Sequence, residues 1–202
     1  MEKDLCKRGF KLIKTKKVVL CGLAKSGKTT IRKWLFNKLK NITDTSLHAT
    51  IEYETHNQII NNTEIVFWDL GGVTAFFDRF VGALAEFVFT GVTTLVFVVD
   101  SIELKDIARV KYYLDRCIKR IDQYSPETTV IIFQHKVDLI PSKLREEIYH
   151  TTKDYLLKGI KKNVPYYETS LLNSSIVVAM CAVYQATLGY IPNNVIPDPL
   201  TS

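Results

Sequence analysis

Gly22-Leu23-Ala24-Lys25-Ser26-Gly27-Lys28-Thr29 has the spacing G-x-x-x-x-G-K-T, the pattern of a loop that wraps a phosphate chain. Gly22 and Gly27 allow successive backbone N–H groups to converge on phosphate oxygens, and a helix starting at the loop's end adds its positive pole. Lys28 is expected to reach the β- and γ-phosphates, and the Thr29 hydroxyl to bind Mg²⁺. Lys25, Ser26 and Thr30 complete the candidate contacts. Such a loop specifies a nucleoside triphosphate with magnesium, and leaves open the base and the reaction.

Three later segments narrow the choice. Asp69 follows the apolar run Ile65-Val66-Phe67-Trp68 and precedes Leu70-Gly71-Gly72. A carboxylate at a strand's end, across from a phosphate loop, is placed for Mg²⁺ through water. Gly72 can bring its backbone N–H close to a γ-phosphate because it carries no side chain. His135-Lys136-Val137-Asp138 follows another apolar run. An aspartate there accepts two hydrogen bonds from guanine, from N1–H and the exocyclic amine. Adenine presents an acceptor at that ring nitrogen and leaves the carboxylate unpaired. The stem of Lys136 can lie over the base plane, and His135 can donate to a base or brace the phosphate loop. Glu168-Thr169-Ser170-Leu171 follows a last strand, where the N–H groups of Ser170 and Leu171 can meet the guanine carbonyl.

The elements that must hold these residues are legible as runs. Val18 to Cys21 reads as a buried strand, and Thr29 to Leu39 has helical spacing. Glu52 to Ile60 and Thr63 to Trp68 read as a hairpin turning at Asn61-Asn62. Val92 to Val99 is a continuous β-branched run, as expected of a strand covered on both faces. Glu103 to Tyr124 is an amphipathic helix stopped by Ser125-Pro126. Thr129 to Phe133 is a strand, Ser142 to Leu157 a helix, Val164 to Thr169 a strand and Leu171 to Leu188 a helix before Gly189. The alternation predicts an α/β fold with a mostly parallel six-stranded sheet and helices on both faces; the hairpin supplies an antiparallel edge.

The 202 residues suit one domain, and 47% hydrophobic with 24% charged residues excludes general disorder. Residues 1–15 form a basic arm, 16–192 the domain and 193–202 a tail. The net charge of +6 is uneven: residues 1–40 carry 13 Lys/Arg against 2 Asp/Glu, the look of a solvated arm beside a phosphate site. Cys6, Cys21, Cys117 and Cys181 lie far apart without C-x-x-C pairs, so a reducing compartment is expected. The lysine-dotted Met1 to Lys17 does not read as a signal peptide, and neither Glu2 nor Pro199 to Ser202 fits a lipid anchor. Val81 to Val99 and Ser174 to Ile191 are apolar enough to raise a membrane span, but glycines, Asn173, Gln185 and Pro192 interrupt them. Residues 176–184 are apolar all round, so part of the last helix is expected to meet something beyond its own sheet.

In this order, phosphate loop, Trp-Asp-x-Gly-Gly, His-Lys-x-Asp and Thr-Ser resemble a P-loop NTPase G domain of the Ras superfamily. The histidine in the base motif resembles the Rag/Gtr GTPases, as do Leu47-His48-Ala49-Thr50-Ile51-Glu52, Tyr124-Ser125-Pro126 and Ile191-Pro192-Asn193. The RagA/B branch, of Gtr1 type, is the most similar, over about residues 16–193. The resemblance implies GTP/GDP and Mg²⁺ as ligands. It makes Thr50 a second magnesium ligand beside Thr29, with Asp69 acting through water, and assigns Lys28, Thr50 and Gly72 to the γ-phosphate. It implies a guanine-nucleotide switch in amino-acid signalling to the target-of-rapamycin kinase, in the cytoplasm and recruited to lysosomal or vacuolar membranes. Partners implied are a RagC/D-type GTPase, effectors and activating proteins, with no nucleic acid and with membrane contact only through partners.

Two departures qualify this. Val73 stands where the RagA-like branch has glutamine, and an isopropyl group cannot orient an attacking water, so slow intrinsic hydrolysis is expected. Rag proteins also continue into a roadblock-type dimerisation domain beyond the length of this sequence, which is either an excised G domain or naturally without that domain, so family dimerisation is not assumed. A nucleotide-binding scaffold without turnover, or a small-molecule kinase, are the alternatives. The kinase needs an arginine-rich lid, and Arg79 is the only arginine between Lys40 and Ile102.

Overall fold

The fold rests on strands whose alternate residues face two different cores. A computed structural model describes residues 13–40 and 52–193. In chain order the elements are β1 (Lys14–Cys21), α1 (Lys28–Lys40), β2 (Tyr53–Ile60), β3 (Thr63–Leu70), α2 (Thr74–Val81) and α3 (Ala85–Phe89). Then follow β4 (Val92–Asp100), α4 (Ile107–Tyr124), β5 (Thr129–His135), α5 (Arg145–Leu157), β6 (Tyr166–Thr169) and α6 (Ser175–Leu188). The six strands form one sheet ordered β2-β3-β1-β4-β5-β6. Only β2 and β3 pair antiparallel. The expected α/β architecture, mostly parallel and six-stranded, is what the chain adopts.

Val19 and Cys21 of β1, Leu95, Phe97 and Val99 of β4 and Val130 and Ile132 of β5 face one core, covered by α2, α3 and α4. Val18 and Leu20, Val96 and Val98, and Ile131 and Phe133 face the other, under α1 and α6. The period of two explains why these strands read as continuous apolar runs: both pleat faces are buried. Chain reversal at the β2–β3 edge uses Asn61 and Asn62 at φ 46° and 63°, the left-handed pair a two-residue hairpin requires and asparagine tolerates.

Several boundaries differ from the sequence pattern for local reasons. β1 begins at Lys14, paired with Thr63, earlier than the expected strand start at Val18. β6 begins at Tyr166 rather than Val164, because Pro165 lacks an N–H; its carbonyl still accepts from Ile132 at 2.9 Å. α6 begins at Ser175 rather than Leu171, because the Asn173 side chain takes the Ser175 N–H at 2.9 Å in a local turn that competes with helix.

Helices α2 and α3 are the larger omission. The stretch from Thr74 to Phe89 is too short and too apolar to display a clear period. Yet the buried residues Phe77, Phe80, Val81 and then Ala85, Val88, Phe89 do repeat at i, i+3, i+4. No helix of the described residues is long and apolar enough to cross a membrane; residues of both apolar stretches pack into the two cores. In α6, Ile176, Val177, Ala179, Met180, Val183 and Tyr184 are buried, while Val178 is 59% exposed. Cys21, Cys117 and Cys181 are free thiols; Cys6, residues 1–12 of the basic arm and the tail beyond Asn193 lie outside the described residues, while Lys14 and Thr15 of the arm belong to β1.

Candidate functional site

The site forms where the strands end. β1 leaves toward β3 on one side, and β4 returns on its other side. This reversal opens a crevice at the carboxyl ends of the strands, the usual ligand position in such sheets. The phosphate loop, residues 22–27, fills the start of that crevice between β1 and α1. Gly22 and Gly27 adopt φ 140° and 99°, and Lys25 also lies in left-handed space at 66°. A Cβ on Gly22 would sit 2.2 Å from the Val98 carbonyl oxygen, and one on Gly27 2.5 Å from Cδ2 of His135. Both positions therefore require glycine for space as well as for conformation.

Lys28 opens α1 and is almost completely buried. Its ammonium donates to the Leu23 carbonyl at 2.9 Å and to Ser26 Oγ at 3.4 Å. Burial pulls its pKa down to about 8, opposed by the negative charge of Asp69. A group in this state gains strongly from an added anion. Thr29 and Thr30 lie half-buried in the next positions of the helix.

Asp69 stands beside Leu20 in the β1–β3 register and is fully buried. Its Oδ2 accepts from Arg32 Nε at 3.2 Å, and the same guanidinium donates to Glu54 on β2 at 2.7 Å. The other oxygen, Oδ1, has no hydrogen-bond partner among the described residues. A buried carboxylate with one oxygen tied and the other bare is unusual, and fits a cation or its bound water as the missing partner. Among the described residues no cluster of three or more His, Cys, Asp or Glu can hold a metal alone. Thr50 lies outside the described residues. Glu52, where description resumes, accepts the Gly71 N–H at 2.7 Å, which ties the start of β2 to the segment after β3.

Gly72 packs directly on the phosphate loop: an added Cβ would meet Leu23 C and Ala24 N at 2.5 Å and Lys28 Nζ at 2.6 Å. Val73 follows as the residue before α2, 41% exposed and without a hydrogen bond from its side chain. Gly72, Val73 and the phosphate loop line an open cavity of about 490 Å³ that reaches Asp100 and Arg109.

The base motif lies on the other side of the loop. His135 ends β5, nearly buried, with Nδ1 3.0 Å from Thr169 Oγ1. Its ring is the surface on which Gly27 rests, so of its two readings the brace is the one realised. Burial first, and Lys136 second, lower the His135 pKa to about 4, against the pull of Asp138 and Asp100. The ring is neutral at pH 7. Lys136, in left-handed conformation at φ 67°, donates to the Lys25 carbonyl at 2.7 Å and to Asp100 Oδ2 at 2.6 Å. Asp138 sits in the short turn Val137–Leu139, half-exposed. Ser170 is buried; its N–H donates to Ser175 Oγ, and its Oγ accepts from Leu172 N–H. Ser170 thus shapes the loop after β6 from within, and Leu171 packs beside the α6 core.

Of the candidate residues, the described ones lie at or just beyond the carboxyl ends of β1, β3, β5 and β6, with Thr50 outside the described residues. Sequence reasoning missed Arg32 and Asp100. Arg32 stands one turn beyond Lys28 on α1, beside Lys33, and nothing local separates it from the helix's other basic residues. Asp100 simply followed a β-branched run.

The pattern that matches this chain describes the Gtr1/RagA G protein conserved region, over residues 17–195. The chain belongs to that family. Its relatives include the GTP-binding protein gtr1 of Schizosaccharomyces pombe, 31% identical over 80% of this chain and 51% of the relative. Another is the Ras-related GTP-binding protein A of Dictyostelium discoideum, 29% identical over 66% of this chain and 44% of that protein. The chain spans about half the length of these relatives. The Arl6 small GTPase of Trypanosoma brucei, solved with the nucleotide analogue GppNp, superposes with a TM-score of 0.65 at 22% identity, over 85% of this chain and 96% of that one. That likeness establishes the P-loop GTPase fold.

Two outcomes follow from the Gtr1/RagA crevice geometry. Arg32→Met leaves Asp69 buried without its counter-charge and is expected to cost about 3–5 kcal/mol, read as a lower urea midpoint; Arg32→Met with Asp69→Asn should recover part of the loss. His135 carries a folded pKa near 4 against about 6.5 unfolded. Its contribution is therefore complete above pH 6.5 and drains away as pH falls toward 4, up to about 3 kcal/mol. Denaturation across that window should show a shallower decline for His135→Gln than for the unaltered chain; parallel curves would mean that His135 is not buried as a neutral ring.

Proposed function

We propose that this chain is a Rag-like guanine-nucleotide switch that binds GTP and GDP with Mg²⁺ and hydrolyses GTP slowly on its own. The observation that carries the reading is the mechanical joining of base motif and phosphate loop: His135 under Gly27, Lys136 on the Lys25 carbonyl. A nucleotide reads both ends of such a joined cradle at once.

In this reading the loop amides and Lys28 hold the phosphates. The ammonium now bonded to Leu23 and Ser26 exchanges those partners for phosphate oxygens and regains full charge. Asp138 pairs with guanine, the Lys136 stem covers the base, and the loop containing Leu171 offers its N–H to the guanine carbonyl. Ser170 supports that loop from inside. Thr29, Thr50 and Asp69 would hold Mg²⁺, the last through water at the bare Oδ1; bound there, the ion neutralises charge on the phosphates. Gly72 already stands against the loop, so its N–H meets a γ-phosphate with little backbone movement.

Val73 is what sets the rate. A glutamine at this position orients water for in-line attack; valine has neither donor nor acceptor, so water must find its line unaided. Loss of one preorganised group typically slows a reaction about 10²- to 10³-fold. The kinase alternative weakens further because Arg79 is engaged on the surface with Glu52 at 3.2 Å. Family membership supports a role in amino-acid signalling to the target-of-rapamycin kinase, with a RagC/D-type partner and recruitment to lysosomal or vacuolar membranes.

Calorimetry should show GTP and GDP binding at least about 10²-fold more tightly than ATP and ADP, and Asp138→Ala should erase that preference. Equal affinity for adenine nucleotides would remove the switch reading. In single-turnover assays Val73→Gln is expected to raise hydrolysis on the order of 10²-fold. Identical rates in the two proteins would show that Val73 does not limit the chemistry.

A further inference from the structure

We propose that Asp100 is a positioning residue of the base site: its ion pair with Lys136 holds that side chain against the phosphate loop and so prolongs nucleotide residence. The proposal rests on the guanine-nucleotide reading above and extends it to a residue outside the base motif.

Asp100 is the last residue of β4 and lies opposite His135 in the β4–β5 register. The sheet therefore delivers its carboxylate to the base motif, with 9% exposure. Its two oxygens have separate tasks. Oδ1 accepts the Ile102 N–H at 2.9 Å, which fixes the plane of the carboxylate, and Oδ2 accepts from Lys136 Nζ at 2.6 Å. The backbone is locked at the same place, since Ser101 N–H donates to the His135 carbonyl at 2.9 Å. Lys136 sends a second N–H to Lys25 O, in the part of the loop held at positive φ. One ammonium thus joins the end of β4, the base motif and the phosphate loop.

A free lysine side chain has among the largest rotamer entropies of any residue. If its stem is to lie flat against a base, that freedom is lost either during folding or during binding. Asp100 removes it during folding, and pre-ordering of this kind strengthens binding chiefly by slowing release. A charge-assisted pair suits the task better than a neutral acceptor, because it is shorter and stronger. The pair also prevents a bare carboxylate from facing phosphates across the shared cavity, which Asp100 lines together with Lys25 and Ser26. Asp100 contacts the base nowhere in this scheme, so it affects how long a nucleotide stays and leaves the choice of purine to Asp138.

Release of fluorescently labelled GDP, followed by stopped flow, tests this in the full chain. Asp100→Asn retains an oxygen for Ile102 but loses the charge. It is expected to release GDP roughly 10- to 100-fold faster, with an unchanged ratio of guanine to adenine affinity. Asp100→Glu, which keeps the charge, should fall between the unaltered chain and Asp100→Asn. Asp100→Asn with Lys136→Met should release no faster than Lys136→Met alone, because both act through one side chain. Unchanged release from Asp100→Asn, additive effects in the double variant, or an altered purine preference would each overturn the assignment. If the unaltered chain itself prefers no purine, the base-site reading falls and the assignment with it. That outcome is distinct from tight GDP retention that is indifferent to Asp100.

Discussion

The site depends on clearance at one loop. Three separate pieces of chain approach the phosphate loop so closely that a single methyl group would collide. Val98 of β4 comes against Gly22, His135 of β5 against Gly27, and the segment after β3 brings Gly72 onto Leu23 and Ala24. Each approach is possible because the position lacks a Cβ. The consequence is mechanical: the loop cannot shift without pushing on the base motif or on the start of α2. Glycine here does more than permit positive φ. It makes the phosphate loop the contact point of three strands' ends.

The charged groups near that point are arranged by burial rather than by number. Arg32 and Asp69 are both withdrawn from water, and Glu54 is half exposed at the far side of the guanidinium. A buried pair of this kind adds little net stability against apolar side chains of equal volume. Arg32 ties one oxygen of Asp69, while its second bond extends to Glu54 on β2, the strand that follows the Thr50 segment. One guanidinium thus connects Asp69 of β3 with Glu54 of β2.

How much of this was legible in the sequence depends on the range of the contact involved. The phosphate loop, the Asp69 turn and the base motif are local patterns in which spacing and residue type together point to chemistry, and all fall at the carboxyl ends of strands of one sheet. The buried strands were legible because two covered faces leave a continuous apolar run. Helices α2 and α3 were not, since five to eight residues complete too few turns for a period to stand out from neighbouring apolar chain. Arg32 and Asp100 escaped for a different reason. Their partners lie 22 to 37 residues away, and only strand order and register bring those partners together.

His135 shows how the two kinds of information combine. From its position the residue allows two tasks, to donate to a base or to brace the loop. Register with Thr169 and the contact from Gly27 select the second. A neutral ring is suited to that task. It fills the space beneath a glycine that can offer no side chain of its own, and it accepts or donates to the Thr169 hydroxyl without bringing charge toward the phosphates. A protonated imidazole at this depth would lose hydration and meet Lys136, which is why the ring stays uncharged. With bulk supplied by His135 and positive charge by Lys136 on the Lys25 carbonyl, the motif supports the loop and joins it to the base side, and in the proposed reading Asp138 is left to select the base.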